Sequence, residues 1–270
     1  MKVKVSLIAV TLALVLLLGA AARASAYPNS MDALGDSITR AFNTCATEFT
    51  DCPENSWATG TNKEVDSYYL RLLAKNPEIS GKEYNDAVSG SKMSELSSQA
   101  LKAVSRKVEL VGIFMGNNDA CTSSISTMTS TASFESEFKT AMVTLNSELP
   151  GAAIKVASVA NAYRLWEIFH GNSSATATWK TLSICQALLA NPTSTLPADV
   201  KRREEFKTRE EEYNTVLEKV CAKYSQCEFD KDAGFKTKFE TSDVSTRDYF
   251  HPNIAGQALI ASTAWSALGY

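Results

Sequence analysis

A serine follows Gly35-Asp36, a histidine ends Asp248-Tyr249-Phe250-His251, and two asparagines stand in Gly116-Asn117-Asn118-Asp119. Acyl transfer through a serine needs a hydroxyl nucleophile, a base to take its proton, an acid to orient the base, and donors for the oxyanion. These segments contain every one of those groups. The chain has two histidines, His170 and His251, so the choice of base is nearly forced.

Ser37 is the predicted nucleophile. Gly35 permits a tight turn out of a strand, and Ile38-Thr39-Arg40-Ala41-Phe42 can begin a helix whose N-terminus would favour an oxyanion at the Ser37 amide. Gly-Asp-Ser by itself also suits an ordinary helix cap, and Asp36 reads as a brace of that turn. His251 is the predicted base and Asp248 its orienter. Their i, i+3 spacing within a turn lets the carboxylate reach the imidazole, fix its tautomer and stabilise the imidazolium. His170 has no such setting and reads as structural or exposed. Asn118 offers an uncharged donor, and Gly90 lets its N–H come close, so Ser37, Gly90 and Asn118 form the predicted oxyanion site. Asn117 is the adjacent alternative to Asn118. Asp119 reads as a tie within its loop, with a role as triad acid the lesser option, and a plain turn is the other reading of Gly90.

Such distant residues meet only if the fold gathers them. Apolar segments alternate with helical patterns, which favours a parallel sheet covered on both faces. Strands are predicted at Ser30–Leu34, Glu83–Val88, Val108–Met115, Ile154–Val159 and Cys227–Phe229. Asp32 is a blemish in the first, tolerable near an exposed strand entry. Helices are predicted at Glu64–Lys75, Ser94–Val104, Phe134–Leu149, Ala177–Leu189, Ala198–Lys223 and Ile254–Leu268, the last capped by Asn253. Thr122–Ser133 reads as a surface loop, and Lys201–Glu212 as a solvated helix face. Pro252 places His251 in the loop before the last helix. Ser37, Gly90 and Asn118 then follow the first three strands, and the loops beyond the carboxyl ends of parallel strands form the ligand crevice.

Residues 1–26 read as a secretion signal: Lys2 and Lys4, an apolar core from Leu7 to Leu18, and a small-residue site at Ala24-Ser25-Ala26. Residues 27–270 then form the catalytic domain, extracellular and without a transmembrane anchor. They carry 24 basic against 30 acidic side chains, a balance that argues against a nucleic-acid groove. Cys45, Cys52, Cys121, Cys185, Cys221 and Cys227 favour disulfides in an exported chain. Sequence alone permits 15 pairings; Cys45–Cys52 and Cys221–Cys227 are close enough to staple local loops, which would leave Cys121 with Cys185. No C-x-x-C pair or nearby histidine supports zinc instead.

Taken together, Gly35-Asp36-Ser37, Ala87-Val88-Ser89-Gly90, Gly116-x-Asn118-Asp119 and Asp248-x-x-His251 resemble the four blocks of the SGNH hydrolases, also called GDSL esterases and lipases. The blocks stand in that family's order and span nearly all of residues 27–270. The resemblance implies a single-domain three-layer α/β/α sandwich, flavodoxin-like, with a five-stranded parallel sheet and neither metal nor organic cofactor. It implies Ser37, His251 and Asp248 as the catalytic residues, although some relatives orient the histidine with a backbone carbonyl. The G-x-S-x-G elbow of the α/β-hydrolases is missing from residues 27–270. More narrowly, the six cysteines, Phe114–Cys121 and Leu188-Leu189-Ala190-Asn191-Pro192 are similar to secreted bacterial lipases and phospholipases of this family. That implies lipid-ester substrates, glycerophospholipids before simple acyl esters, transient contact with a lipid surface, and a monomer. A carbohydrate deacetylase on the same scaffold and a secreted binding protein without catalysis are the rival readings.

Overall fold

The computed structural model describes residues 27–270. The secretion signal expected at residues 1–26, with its cleavage site, falls outside the described residues.

Among the described residues, five short strands form one sheet: β1 (Met31–Gly35), β2 (Glu83–Asn85), β3 (Leu110–Phe114), β4 (Ala153–Val156) and β5 (Cys227–Phe229). All neighbours pair in parallel, in the order β2-β1-β3-β4-β5. The chain winds outward from β1 to β2, then returns past β1 to β3. That reversal opens a crevice at the carboxyl ends of β1 and β3.

Side-chain alternation along the strands divides the core in two. Leu34, Val111, Ile113, Ile154 and Val156 join one cluster with the helices Leu96–Arg106, Thr131–Glu148 and Pro197–Cys221. Met31, Ala33, Leu110 and Phe114 face the other way, onto the helices Tyr68–Leu73 and Ile254–Leu268. The result is the three-layer α/β/α architecture that the family resemblance implied. Local rules set the helix ends. Leu96, Gln99, Ala100 and Ala103 recur at helical spacing on the buried face, and Lys107 stops that helix with a left-handed φ of +54°. The Asn253 side chain caps the last helix by accepting from the Gly256 N–H at 3.0 Å.

Several expectations needed correction. The helix expected over Ala177–Leu189 is two helices, Ser173–Thr181 and Gln186–Leu189. Ser183 and Cys185 interrupt it with φ of +53° and +43°, turning Cys185 towards Cys121. The helix Thr131–Glu148 starts earlier than periodicity indicated, since the Ser130 hydroxyl accepts from the Ser133 N–H, so the Ser/Thr-rich loop is shorter. Arg203 and Glu210 turn inward from the charged helix face: Arg203 donates to the Ser194 carbonyl and Glu210 accepts from the Ala162 N–H. Asp32 is fully buried, not at an exposed entry, because Arg106 from the neighbouring helix meets it at 2.9 Å. Burial outweighs that partner and pushes the Asp32 carboxyl up to about 7.

The three disulfides are Cys45–Cys52, Cys121–Cys185 and Cys221–Cys227. The second ties the segment after Asn118 to Cys185, where the Ala187 N–H also reaches the Thr122 carbonyl at 2.9 Å.

Candidate active site

The nucleophile candidate leaves the end of β1 on a tight backbone. An added Cβ at Gly35 would lie 2.4 Å from the Phe114 carbonyl oxygen of β3, so glycine is required for the two strands to approach there. Ser37 then enters a run of hydrogen-bonded turns, not the helix expected from Ile38. The Arg40 N–H reaches the Asp36 carbonyl and the Phe42 N–H the Ser37 carbonyl, while Ala41 and Asn43 take left-handed φ. Asp36 braces this turn by accepting from the Ile38 N–H at 2.9 Å.

The loop before the last helix carries the other partners. Its backbone is pinned where the Ser245 N–H meets the His251 carbonyl, the Asn253 N–H meets the Asp243 carbonyl, and Val244 bridges Pro252. The Trp179 indole N–H donates to the Tyr249 carbonyl at 3.1 Å. So held, His251 places Nε2 2.9 Å from the Ser37 Oγ and Nδ1 2.8 Å from the Asp248 Oδ2. The other Asp248 oxygen accepts from the Phe250 and His251 N–H groups. The Phe42 and Phe250 rings flank the imidazole, with centroids 4.9 and 5.1 Å away. Residues 214 positions apart in sequence are thus in hydrogen-bond contact.

Burial pushes all three carboxylates of the site upward, but their partners leave the net shifts opposite in sign. It tends to raise Asp248, but the hydrogen bond and charge of His251, with the two backbone donors, outweigh it and hold this carboxyl below its ordinary range. Asp248 is therefore ionised at neutral pH and suited to orient an imidazole. Asp36 has fewer compensating partners, and burial pushes it up to about 6. Asp119 is likewise pushed up to about 6 by burial. Its carboxylate accepts from the Met93 N–H, which ties its loop to the segment before Leu96.

Asn117 and Asn118 both line the cleft beside Ser37 and His251. Asn117 is engaged with the Ala160 backbone, whereas Asn118 gives one amide hydrogen to the Ser91 carbonyl at 3.0 Å. A primary amide has two such hydrogens, so Asn118 keeps one to offer. Gly90 sits next to Ser91 in an exposed turn with φ +85°, outside the cleft lining. Among the described residues, the Ser37 and Gly90 N–H groups make no hydrogen bond. His170 lies elsewhere, stacked on Trp166 with its Nδ1 against the Trp166 carbonyl.

A model of the GDSL-like lipase/acylhydrolase family matches residues 33–264. The chain belongs to this family. It is a carboxylic ester hydrolase by that membership. Similar folds include a single-residue variant of Axe2, an acetyl-xylooligosaccharide esterase from Geobacillus, at 16% identity and TM-score 0.56, covering 89% of this chain and 94% of that one. LAE5, an alpha/beta hydrolase enzyme from the metagenome of Lake Arreo in Spain, is 15% identical with TM-score 0.54 over 89% of this chain and 94% of its own. The acetyl xylan esterase AlAXEase is 15% identical with TM-score 0.53, over 88% and 99% of the two chains. No curated protein sequence matches this GDSL hydrolase.

The cleft of this GDSL hydrolase leaves about 40 Å³ of room for solvent between its walls and opens to bulk water. Ile38, Leu165, Phe239, Val244, Phe250 and Pro252 supply much of its wall. Phe239 and Ala160 also line a second recess, with Phe114, Ala157, Ile260 and Ala264. Among the described residues, the one grouping of potential metal ligands is Cys45, Cys52 and Glu54, and both sulfurs there are joined in a disulfide. Sequence reasoning missed Asn43, which donates to the Asp248 Oδ2, as well as the apolar residues Leu165 and Phe239. Spacing marks none of them. The one signal at Asn43 was its type, since asparagine tolerates left-handed turns.

Proposed function

We propose that this GDSL hydrolase is a secreted phospholipase or lipase that cleaves fatty-acyl esters through an acyl-enzyme on Ser37. The contact of Ser37 Oγ with His251 Nε2, backed by Asp248, carries this reading. Ser37 attacks the ester carbonyl as its proton passes to His251, and Asp248 stabilises the imidazolium. The tetrahedral oxyanion takes hydrogen bonds from the Ser37 and Gly90 N–H groups and the remaining Asn118 amide hydrogen. His251 then protonates the departing alcohol. Water, activated by the same imidazole, releases the acid and restores Ser37.

The apolar wall from Ile38 to Pro252 supports a long acyl chain as the group held beside Ser37. Each buried CH₂ contributes about 0.8 kcal/mol, and an acetyl group gains little from such a surface. Neither metal nor organic cofactor is needed, because Ser37 and His251 supply the nucleophile and the proton carrier. The three disulfides fit an oxidising compartment, and no described helix is long and apolar enough to cross a membrane. Residues 27–270 then act outside the cell as one monomeric domain that meets lipid surfaces transiently.

A fluorophosphonate probe should label Ser37, and the enzyme should release fatty acid from phosphatidylcholine liposomes. Deacetylation of xylan without action on liposomes would replace the lipid reading with the deacetylase one. Folded protein that takes no label would be a binding protein instead.

A further inference from the structure

We propose that Asn43 is a positioning residue for Asp248, and that the loop closed by Cys45–Cys52 is the mount that holds it. The inference rests on the reading of Ser37, His251 and Asp248 as the reacting unit.

An ionised carboxylate offers about four lone-pair sites, and Asp248 uses four donors. Two are the Phe250 and His251 N–H groups on Oδ1, and a third is the His251 Nδ1 on Oδ2. These three come from Asp248's own turn. The fourth is the Asn43 side-chain amide on Oδ2, from a residue 205 positions away. It ties the acid to the segment that follows the nucleophile. Without it, the Oδ2 facing the imidazole has one donor fewer, and the carboxylate is freer to rotate.

Asn43 is itself 3% exposed and sits at φ +66°, a backbone that asparagine adopts at little cost. Its Oδ1 accepts from the Phe49 N–H at 2.6 Å, and its N–H reaches the Thr50 carbonyl at 3.0 Å. Both partners lie inside the Cys45–Cys52 loop. Arg247, the neighbour of Asp248, spreads its guanidinium over the carbonyls of Asn43, Cys45, Ala46 and Thr47. Two consecutive residues of the acid turn are therefore fastened to one disulfide-closed loop.

Two variants separate positioning from mere bracing of the loop. Asn43→Gly suits the left-handed backbone and removes both side-chain bonds. Asn43→Asp keeps an acceptor for the Phe49 N–H but replaces the donor facing Asp248 with an acceptor. Both should lower kcat on a water-soluble short-chain ester by about ten-fold or more, with KM nearly unchanged, since a hydrogen bond to a charged group is lost. The acid limb of the kcat/KM profile should move to higher pH, further for Asn43→Asp. A carboxylate relieved of a neutral donor, or given a negative neighbour, holds the imidazolium more strongly. The charged groups facing His251 are Asp248 and Asp36, and both variants leave them in place. In an Asp248→Asn background, Asn43→Gly should add little further loss.

Near-normal kcat and pH profile in Asn43→Asp, with only a lower Tm in Asn43→Gly, would overturn the proposal. So would fully additive losses in the double variant. Absence of ester turnover in the parent protein would instead strike at the reading of Ser37. The low-field Nδ1 proton resonance of His251 reports the bond to Asp248 without turnover and should still shift in both variants; an unmoved resonance would sink the positioning role by itself.

Discussion

The amide of Asn117 closes both ways on a single residue, donating to the Ala160 carbonyl at 2.9 Å and accepting from the Ala160 N–H at 3.3 Å. It links the segments that follow β3 and β4 in the wall of the cleft. Its neighbour Asn118 has one amide hydrogen bound to Ser91 and one to spare. The two adjoining asparagines therefore divide into a structural tie and an available donor.

Alanine at each position should expose that division. Asn118→Ala should reduce kcat by about 10²–10³, the usual cost of one oxyanion donor. Asn117→Ala should cost stability, about 1–3 kcal/mol, because it strands two backbone groups. Steady-state kinetics beside urea unfolding would check both. A larger kcat loss at Asn117 would transfer the oxyanion role to that residue.

The raised carboxylates predict an unusual dependence of stability on pH. Asp36 is pushed up to about 6 from an ordinary value of 3.8 by burial. Between those values the folded state holds a proton that the unfolded chain has released, so stability falls as pH rises through that window. Asp36→Asn removes this contribution. Its unfolding free energy should fall less than that of the parent between pH 4 and 7, by about 2–3 kcal/mol. Asp32 and Asp119 are raised too, but the Asp32 contribution is common to both proteins, so most of the difference reports Asp36 together with its coupling to Asp119. Parallel curves for the two proteins would show that burial of Asp36 is not what shifts it.

How much of this was legible beforehand depended on whether a feature is local. The central strand Leu110–Phe114 announced itself as a nearly continuous apolar run, as parallel strands covered on both faces do. The edge strands Glu83–Asn85 and Cys227–Phe229 carry polar residues and were marked less by apolarity. Strand ends shifted: the expected Glu83–Val88 stops at Asn85, after which Asp86, Ala87 and Val88 still donate to the Ala33 and Gly35 carbonyls. The short-range pair Asp248 and His251 could be foreseen because one turn brings them together. Ser37 and His251, 214 positions apart, could be foreseen only because their motifs mark them; long-range polar contacts outside the motifs could not. Nothing near Asp32 predicts Arg106, and nothing near Asp248 predicts Asn43. The break at Cys185 escaped periodicity for the same reason, since its partner Cys121 is 64 residues away. Helical rules describe a chain segment by itself, whereas these contacts join segments that only the finished fold brings together.

Phe239 offers the sharpest test of the substrate assignment. Its ring belongs to both the catalytic cleft and the recess lined by Phe114, Ala157, Ile260 and Ala264, and it packs against both halves of the core. An acyl chain running from Ser37 along the apolar wall would meet this ring. Phe239→Ala should join the two spaces and let a longer chain bury additional methylenes, at about 0.8 kcal/mol each. The optimum in kcat/KM across p-nitrophenyl esters from acetyl to palmitoyl should then move to longer chains, with acetyl hydrolysis little changed. Ala160→Leu, which narrows the same passage, should move the optimum the other way. If neither variant alters chain-length preference while both hydrolyse the acetyl ester normally, the acyl group does not lie against Phe239. The apolar wall would then serve the alcohol side of the substrate, or none of it.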